Sequence, residues 1–401
     1  MRFAPLTALV LVLAAPAAAH QPVSDVDRLF HEQMLVLDTH LDTPVLFERV
    51  GNWDFTRWHE YGWDNSQVDI PRMEAGGLDG GFFVIYTAQG GLDPDSMNKA
   101  RNDALARAAA IQRVVAANHD KLAFATTAAD AARIHAAGKR IVYQSIENCY
   151  PLGEDLSLLA TFYNMGVRMA GPVHSKNNQF ADSTTDTPRH HGLSALGKQW
   201  VVEMNRLGMV IDASHSSDAA FDQMLALSKT PIILSHSGPK AMFDHRRNLD
   251  DERMRRLARA GGVMQMNSIF LVQHDSSDER GALDKRQEKW LDLSPSERRQ
   301  LVADKAALDA QRPYTSADFE LFMKSMLHAI KVMGVDHVGL GYDWDGGGGL
   351  QGMEDVSQLA KITARLRREG LSDSDIEKIW SGNVLRLLRQ AEQYAQTRSV
   401  T

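Results

Sequence analysis

The 401-residue sequence contains a single cysteine, Cys149, so no disulfide can form within the chain. Its stability must come from a buried core, for which a chain of this length is long enough. Acidic residues also outnumber basic ones: the sequence has 51 Asp and Glu and 44 Lys and Arg, for a formal net charge of −7. This excess of acidic residues disfavours nucleic acid as a partner, because phosphate binding is driven by basic surfaces.

The apolar run near the N-terminus, residues 6–15, is too short to span a bilayer comfortably. Arg2 before the run and three alanines at 17–19 after it are typical of a signal peptide that is cleaved near Ala19. No cysteine follows the run, and the polar segment 392–401 offers no lipid-anchor signal. We therefore predict that residues 1–19 are a signal peptide and that the mature chain is periplasmic or secreted, without a membrane anchor.

Short apolar runs alternate with helical stretches along the rest of the sequence. Eight runs have the character of buried strands: 35–42, 82–86, 141–148, 167–174, 209–215, 231–237, 262–268 and 337–345. Strands that alternate with helices pair in parallel. Eight of them predict an α/β fold in which residues 20–401 form one (β/α)8 TIM barrel, with a doubly wound open sheet as the alternative.

Two stretches exceed a minimal barrel and are predicted to be insertions at its rim. The first, about 50–69, carries three tryptophans and one tyrosine, and could either line a substrate pocket or pack on the barrel. The second, about 273–316, is long, charged and predicted to be partly helical.

Residues of metal-binding types fall at the ends of the predicted strands. They are His40, Asp42, Glu147, His174, His215, His236, Asp343 and Asp345. Functional groups of (β/α)8 barrels gather at the carboxyl ends of the strands, so these side chains should meet in one mouth. A mixture of imidazole nitrogen and carboxylate oxygen suits zinc, whereas Mg²⁺ or Ca²⁺ would favour mostly oxygen ligands.

The spacing within two strands supports this interpretation. His40 and Asp42 are alternate residues of one strand, so both side chains should point into the barrel. Glu147 is predicted to be buried, and a buried carboxylate needs a partner. That partner is predicted to be a pair of metal ions bridged by its two oxygens, with an Arg or Lys salt bridge as the alternative.

Three further histidines end successive predicted strands. His215 and His236 each follow a serine, and two such residues on neighbouring strands favour metal ligands over hydrogen-bonded core histidines. His174 could either bind metal or polarise the carbonyl of a substrate.

Longer motifs surround these residues, among them Asp38-Thr39-His40-Leu41-Asp42-Thr43-Pro44 and Gly341-Tyr342-Asp343-Trp344-Asp345-Gly346. Together with residues 67–77, 202–215, 235–237, 246–249, 352–356 and 381–386, they resemble the membrane (renal-type) dipeptidase family of zinc metallopeptidases. That family is a branch of the amidohydrolase-like barrels. The resemblance runs from about residue 33 to about residue 390, and the combination of motifs is highly specific.

The resemblance implies two zinc ions per chain and assigns their ligands. One ion would be held by His40, Asp42 and Glu147, and the other by Glu147, His215 and His236. The family's substrate-binding and catalytic positions correspond to His174, Arg247 and Asp343.

This resemblance implies a dipeptidase that cleaves the peptide bond with a hydroxide shared by the two metals. His174 would stabilise the oxyanion, Asp343 would carry the proton, and Arg247 would grip the free carboxylate of the dipeptide. Arg247 could instead be a surface residue, and Asp343 a structural carboxylate. The alternative activity is hydrolysis of another small amide or lactone, such as a β-lactam, and the alternative class is a non-catalytic binding protein. A homodimer is compatible with the resemblance.

Overall fold

The computed structural model describes residues 22–48, 53–290 and 293–398, and places nine β-strands in them. The strands are β1 Leu37–Leu41, β2 Gly80–Tyr86, β3 Leu122–Phe124, β4 Arg140–Glu147, β5 Val167–Ala170, β6 Val210–Ile211, β7 Ile233–Ser237, β8 Val263–Met266 and β9 Val338–Leu340. The predicted signal peptide, residues 1–19, lies outside the described residues.

Fifteen α-helices lie in the same part of the chain. They are α1 Asp25–Gln33, α2 Tyr61–Asp64, α3 Ile70–Gly76, α4 Pro94–Ala117, α5 Ala128–Ala136, α6 Ser157–Asn164, α7 Ala195–Leu207, α8 Asp218–Leu227, α9 Asp251–Arg259, α10 Asp278–Glu288, α11 Pro295–Gln311, α12 Phe319–Met333, α13 Ala360–Arg368, α14 Asp373–Glu377 and α15 Asn383–Arg398. None of these helices is long and apolar enough to cross a membrane.

Eight of the strands close into a parallel barrel. Strands β1, β2, β4, β5 and β6 pair in that order, and β7, β8 and β9 form a second parallel group. Parallel bridges between Asp212 and Ile233 and between Leu41 and Trp344 join the two groups at both edges. The backbone bond from Ala213 to Ile233 (2.8 Å) supports one of these joints.

Each of the eight predicted runs overlaps one barrel strand, so the barrel is confirmed and the open sheet is wrong. The sequence analysis missed β3, which pairs with the start of β4 outside the ring.

Local capping signals explain where several helices begin and end. The side chains of Ser194 and Asp250 accept backbone N–H groups of the first turns of α7 and α9. Gly208 ends α7 in the left-handed conformation, with φ of 77°. At the amino ends of the strands, Leu387 and Leu388 of α15 share a buried cluster with Phe82 and Val263 of the barrel. Helix α15 therefore covers the base of the barrel and leaves the opposite end for the site.

Both predicted rim insertions contain helices. Segment 273–316 holds α10 and α11, which pack against each other, and α2 of the first insertion contacts α11. In the first insertion, the ring of Trp53 stacks on Phe55 and His59 and contacts Phe47. This tryptophan therefore packs within the loop, which is one of the two alternatives predicted for this segment.

Candidate metal centre

The predicted metal-binding side chains converge at the carboxyl end of the barrel. His40 lies in β1 and His236 in β7, while Glu147 is the last residue of β4. The expectation that His174 and His215 close their strands is wrong, because β5 ends at residue 170 and β6 at residue 211. Their side chains reach the mouth from the loops that follow these strands.

Glu147 lies at the centre of the cluster, and its two oxygens face different imidazoles. Its Oε1 is 2.9 Å from Nε2 of His215 and 3.3 Å from Nε2 of His236. Its Oε2 faces Nε2 of His40 at 3.7 Å. The Nε2 atoms of His215 and His236 are 2.8 Å apart, so at most one of them can carry a proton toward the other. Glu147 therefore joins two groups of nitrogen ligands.

Two more carboxylates and one more imidazole complete the cluster. His40 Nε2 lies 3.3 Å from Asp42 Oδ2 and 3.9 Å from Asp343 Oδ1. His174 Nε2 lies 4.0 Å from Glu147 Oε1. Three sets of ligand atoms each fit within 4.8 Å: His40, Glu147 and His236; Glu147, His174 and His215; and His40, Asp42 and Asp343. Such sets of imidazole and carboxylate groups can hold divalent cations.

The backbone around the mouth adopts conformations that side-chain-bearing residues rarely take. His215, Asp343 and Asp345 have φ of 66°, 71° and 64°, in the left-handed region. This geometry turns the chain out of the strand direction and explains why β6 and β9 end before these residues. Next to them, a Cβ on Gly346 would lie 2.1 Å from Asp42 Oδ2, so only glycine fits there. Backbone strain of this kind is concentrated at functional sites.

Burial sets the protonation of the imidazoles and of the central carboxylate. Burial lowers the pKa of both His215 and His236 well below the usual value, so both rings are neutral and offer lone pairs. Burial opposes ionisation of Glu147, but the imidazoles of His174 and His40 hold its pKa well below the usual range. The cluster thus presents an ionised carboxylate beside the neutral nitrogens of His215 and His236, a combination that suits a metal ion.

Asp343 and Arg247 are also buried, and their pKa values shift in opposite directions. Burial, together with the carboxylates of Asp42 and Glu147, raises the pKa of Asp343 to about 8. Burial lowers the pKa of Arg247 to about 10, so its guanidinium remains charged at neutral pH. Asp343 can therefore exchange a proton near neutral pH, and Arg247 is a fixed cation in the site.

The alternative that Arg247 is a surface residue is wrong, since only 5% of it is exposed. Its Nη2 donates to the carbonyl oxygen of His236 (3.2 Å), and its Nε has no hydrogen-bond partner in the described part of the chain. The guanidinium also lies over the ring of Phe270, 5.2 Å from its centre. A buried cation with a free donor is suited to binding an anionic group of a ligand.

A second layer of side chains orients the cluster. His236 Nδ1 lies 2.9 Å from Ser235 Oγ, which in turn lies 2.5 Å from Asp212 Oδ2. Asp38 accepts the backbone N–H of His40 at 2.8 Å. The sequence analysis did not select these residues, although Asp38 and Asp212 each precede a site histidine within the same strand-end motif.

The cluster opens into a cavity of about 630 Å³, a size typical of small-molecule sites. Its walls include Asp42, Glu147, His174, His215, Arg247 and Asp343. Tyr86, the last residue of β2, also lines the cavity and was not predicted from the sequence, nor were four aromatic or imidazole side chains outside the strands: His245, Phe270, His274 and Tyr314. These four come from loops, where no periodic pattern marks a residue as functional.

Comparisons with known proteins agree on one family. The model of the membrane dipeptidase family (Peptidase family M19) matches residues 25–400. The dipeptidase tcpJ of Claviceps purpurea is 32% identical over 82% of this chain and 70% of its own length.

Solved structures with the same fold include the probable dipeptidase PvdM from Pseudomonas aeruginosa. It is 30% identical, covers 92% of this chain and 98% of its own, and has a TM-score of 0.79. A metallopeptidase from Rhodobacter sphaeroides, solved with a phosphinate mimic of the dipeptide L-Ala-D-Ala, is 26% identical with a TM-score of 0.71. It covers 89% of this chain and 99% of its own.

Proposed function

The chain belongs to the membrane dipeptidase family, and from this premise we propose that it is a zinc-dependent dipeptidase with two zinc ions in the barrel mouth. The family is one of metal-dependent peptide-bond hydrolases, and relatives of this chain carry the name dipeptidase.

The observation that carries the two-metal proposal is the orientation of Glu147. Its Oε2 faces His40, while its Oε1 faces both His215 and His236. We assign His40, Asp42 and Glu147 to one ion, and Glu147, His215 and His236 to the other. The buried Nε2 of His40 has no hydrogen bond to the described residues and lies 3.3 Å from Asp42 Oδ2, so a cation bound between these groups would take the place of the imidazole proton.

When bound, the two zinc ions would activate a water and polarise the scissile carbonyl. Asp343, with its pKa raised to about 8 by burial, would take a proton from the attacking water and give it to the leaving amine. His174 lines the cavity, and Ser175 Oγ lies 2.8 Å from its Nδ1. From this position the imidazole of His174 would donate a hydrogen bond to the carbonyl oxygen of the substrate, on which negative charge develops.

Arg247 would select dipeptides by their free carboxylate. A planar guanidinium can bind a carboxylate through two hydrogen bonds, and here it lies buried beside the cluster. A substrate whose terminal carboxylate reaches Arg247 places the preceding peptide bond near the metal ligands. Longer peptides would place an uncharged amide at this position and lose the ion pair.

Export belongs to the same proposal, and it rests on the sequence of residues 1–19 alone. A periplasmic or secreted location after removal of this segment, and assembly as a homodimer, both remain predictions. Western blotting of cell fractions would test the location, and light scattering of the purified chain would test the dimer.

The first test combines metal analysis with a substrate panel. We expect mass spectrometry of the purified chain to find about two zinc ions, and chelation to abolish release of amino acids from dipeptides. The panel should include D-residues at the second position, because the metallopeptidase from Rhodobacter sphaeroides was solved with a mimic of L-Ala-D-Ala. Two metals without dipeptide cleavage would favour β-lactam or lactone substrates, and failure to bind zinc would contradict the ligand assignment.

A further inference from the structure

The second rim insertion is anchored so that its base forms part of the cavity wall. We call α10, α11 and the segment that joins them the rim hairpin. The backbone N–H of Asp275 donates to the carbonyl oxygen of Tyr314 (2.9 Å), which holds the two ends of the insertion together. Arg280, which is buried, contacts Asp275 at 3.3 Å and Asp309 at 2.6 Å. The insertion is therefore fixed where it meets the cavity.

Two rings at the base of the rim hairpin face the cavity. The rings of His274 and Tyr314 contact each other with centres 4.6 Å apart, and both line the cavity. Tyr314 is 38% exposed, so much of its ring is open to a ligand. Helix α2 of the first insertion packs against α11 and so supports the hairpin.

A second aromatic surface continues this wall toward Arg247. The ring of His245 is stacked between Phe243 at 5.8 Å and Phe270 at 4.5 Å, with planes 5° and 8° from parallel. His245 and Phe270 line the cavity beside His274 and Tyr314, and we call these four residues the aromatic wall.

The aromatic wall begins at the proposed carboxylate anchor, since the guanidinium of Arg247 lies 5.2 Å from the centre of the Phe270 ring. A dipeptide bound with its carboxylate at Arg247 and its peptide bond at Glu147 has its C-terminal α-carbon between the two. The side chain on that carbon is therefore the part of the substrate nearest to the wall.

We propose that the aromatic wall binds the side chain of the dipeptide's C-terminal residue and selects a planar, uncharged one. This proposal rests on the dipeptidase function and names its substrate class. Aromatic rings pair favourably with the flat faces and edges of other rings. A charged side chain would lose water against this surface, and a cationic one would also face Arg247.

The imidazoles of the wall add no positive charge that could bind an acidic side chain. Burial lowers the pKa of His245 and of His274, so both rings are neutral at neutral pH. They are thus available as flat surfaces rather than as cations.

The proposal is tested with Ala-Ala, Ala-Phe, Phe-Ala and Ala-Glu, each with L- and D-configured second residues. In the wild-type chain we expect kcat/KM for Ala-Phe to exceed that for Ala-Ala and Ala-Glu about tenfold, which corresponds to about 1.4 kcal/mol. Phe-Ala should show no such advantage. In the Tyr314→Ala and His274→Ala variants the ratio of Ala-Phe to Ala-Ala should fall several-fold.

Two variants separate loss of the wall from loss of the fold. Tyr314→Phe keeps the ring and should keep the preference, whereas Arg299→Ala changes an exposed residue of the rim hairpin and should leave the rates for all substrates of the panel unchanged. Equal rates for Ala-Ala and Ala-Phe, a preference for Phe-Ala, or an unchanged ratio in Tyr314→Ala would overturn this proposal while the dipeptidase function stands. Failure to cleave any of the dipeptides would overturn the proposed function itself.

Discussion

Replacing Ser235 by alanine should weaken metal binding, because the Ser235 hydroxyl determines which nitrogen of His236 is free. A serine hydroxyl has one proton to donate. Ser235 Oγ lies 2.5 Å from the carboxylate of Asp212, which can only accept, so the hydroxyl proton goes there. Ser235 Oγ also lies 3.4 Å from Ser214 Oγ, whose hydroxyl can donate to it. In the contact of 2.9 Å between Ser235 Oγ and His236 Nδ1, the imidazole must then donate. The Nε2 of His236, 3.3 Å from Glu147, is left with its lone pair exposed.

The size of the effect follows from the role of such outer contacts. Loss of the partner that orients a metal-binding histidine lowers metal affinity by about 10- to 100-fold, or about 1.4 to 2.8 kcal/mol. In the Ser235→Ala variant, His236 can protonate Nε2 instead of Nδ1 and can rotate. Both changes reduce the fraction of the protein that is ready to bind the ion.

The assay is a competition titration in which a chelator of known affinity is displaced from zinc by the apo-protein. Ser237→Ala is the matched control, because it lies on the same strand and is buried, and its Oγ has no hydrogen-bond partner among the described residues. We expect a shift only for Ser235→Ala. An unchanged affinity in Ser235→Ala, or an equal loss in both variants, would refute the reasoning.

Three other variants test other parts of the site and fold. Asp343→Asn should lower kcat by about 10²- to 10⁴-fold without loss of bound zinc, because an amide cannot relay the proton; near-normal turnover would contradict that role. Arg247→Lys should lower kcat/KM for a dipeptide by about 10- to 100-fold, since a charged hydrogen bond contributes about 1.5–3 kcal/mol, and the wild-type chain should lose as much on a C-terminally amidated dipeptide. In the folded chain, the buried Asp69 lies 2.6 Å from Arg72 Nε. Arg72→Leu removes this cation and should reduce the free energy of unfolding, measured in urea, by about 3–5 kcal/mol. A loss below about 1 kcal/mol would show that the ion pair is dispensable.

The barrel could be predicted from the sequence because its strands are buried on both faces and appear as continuous apolar runs. The residues at which those strands end could not be predicted. The apolar runs that contain His174 and His215 continue past the last residues of β5 and β6. Hydropathy does not show where the backbone turns, as it does at His215 with φ of 66°. The short strand Leu122–Phe124 was missed because pairing with a neighbour, not a pattern of its own, makes it a strand.

Within the site, residue type was informative where chemistry restricts the choice, and uninformative elsewhere. Imidazoles and carboxylates at strand ends have few uses other than metal binding, so Glu147 and its neighbours could be selected from the sequence. His245 and Tyr314 lie in loops, and a ring in a loop is as compatible with packing as with substrate binding. Only the folded chain shows that the two line the same cavity.

The charge distribution of the mouth explains why a cation belongs there. Three carboxylates, those of Asp42, Glu147 and Asp343, are buried around His40, and a buried carboxylate without a positive partner is strongly disfavoured. Burial alone would lower the pKa of His40, yet Glu147 and Asp42 raise it well above its usual value. The carboxylates around His40 thus favour a positive charge at this point, in addition to that of Arg247. The groups lie in or just after strands β1, β4 and β9 of a closed barrel, which limits how far they can move apart to relieve their repulsion. We expect divalent cations to supply this charge and remove the repulsion, so the barrel that holds these groups together would also favour metal binding.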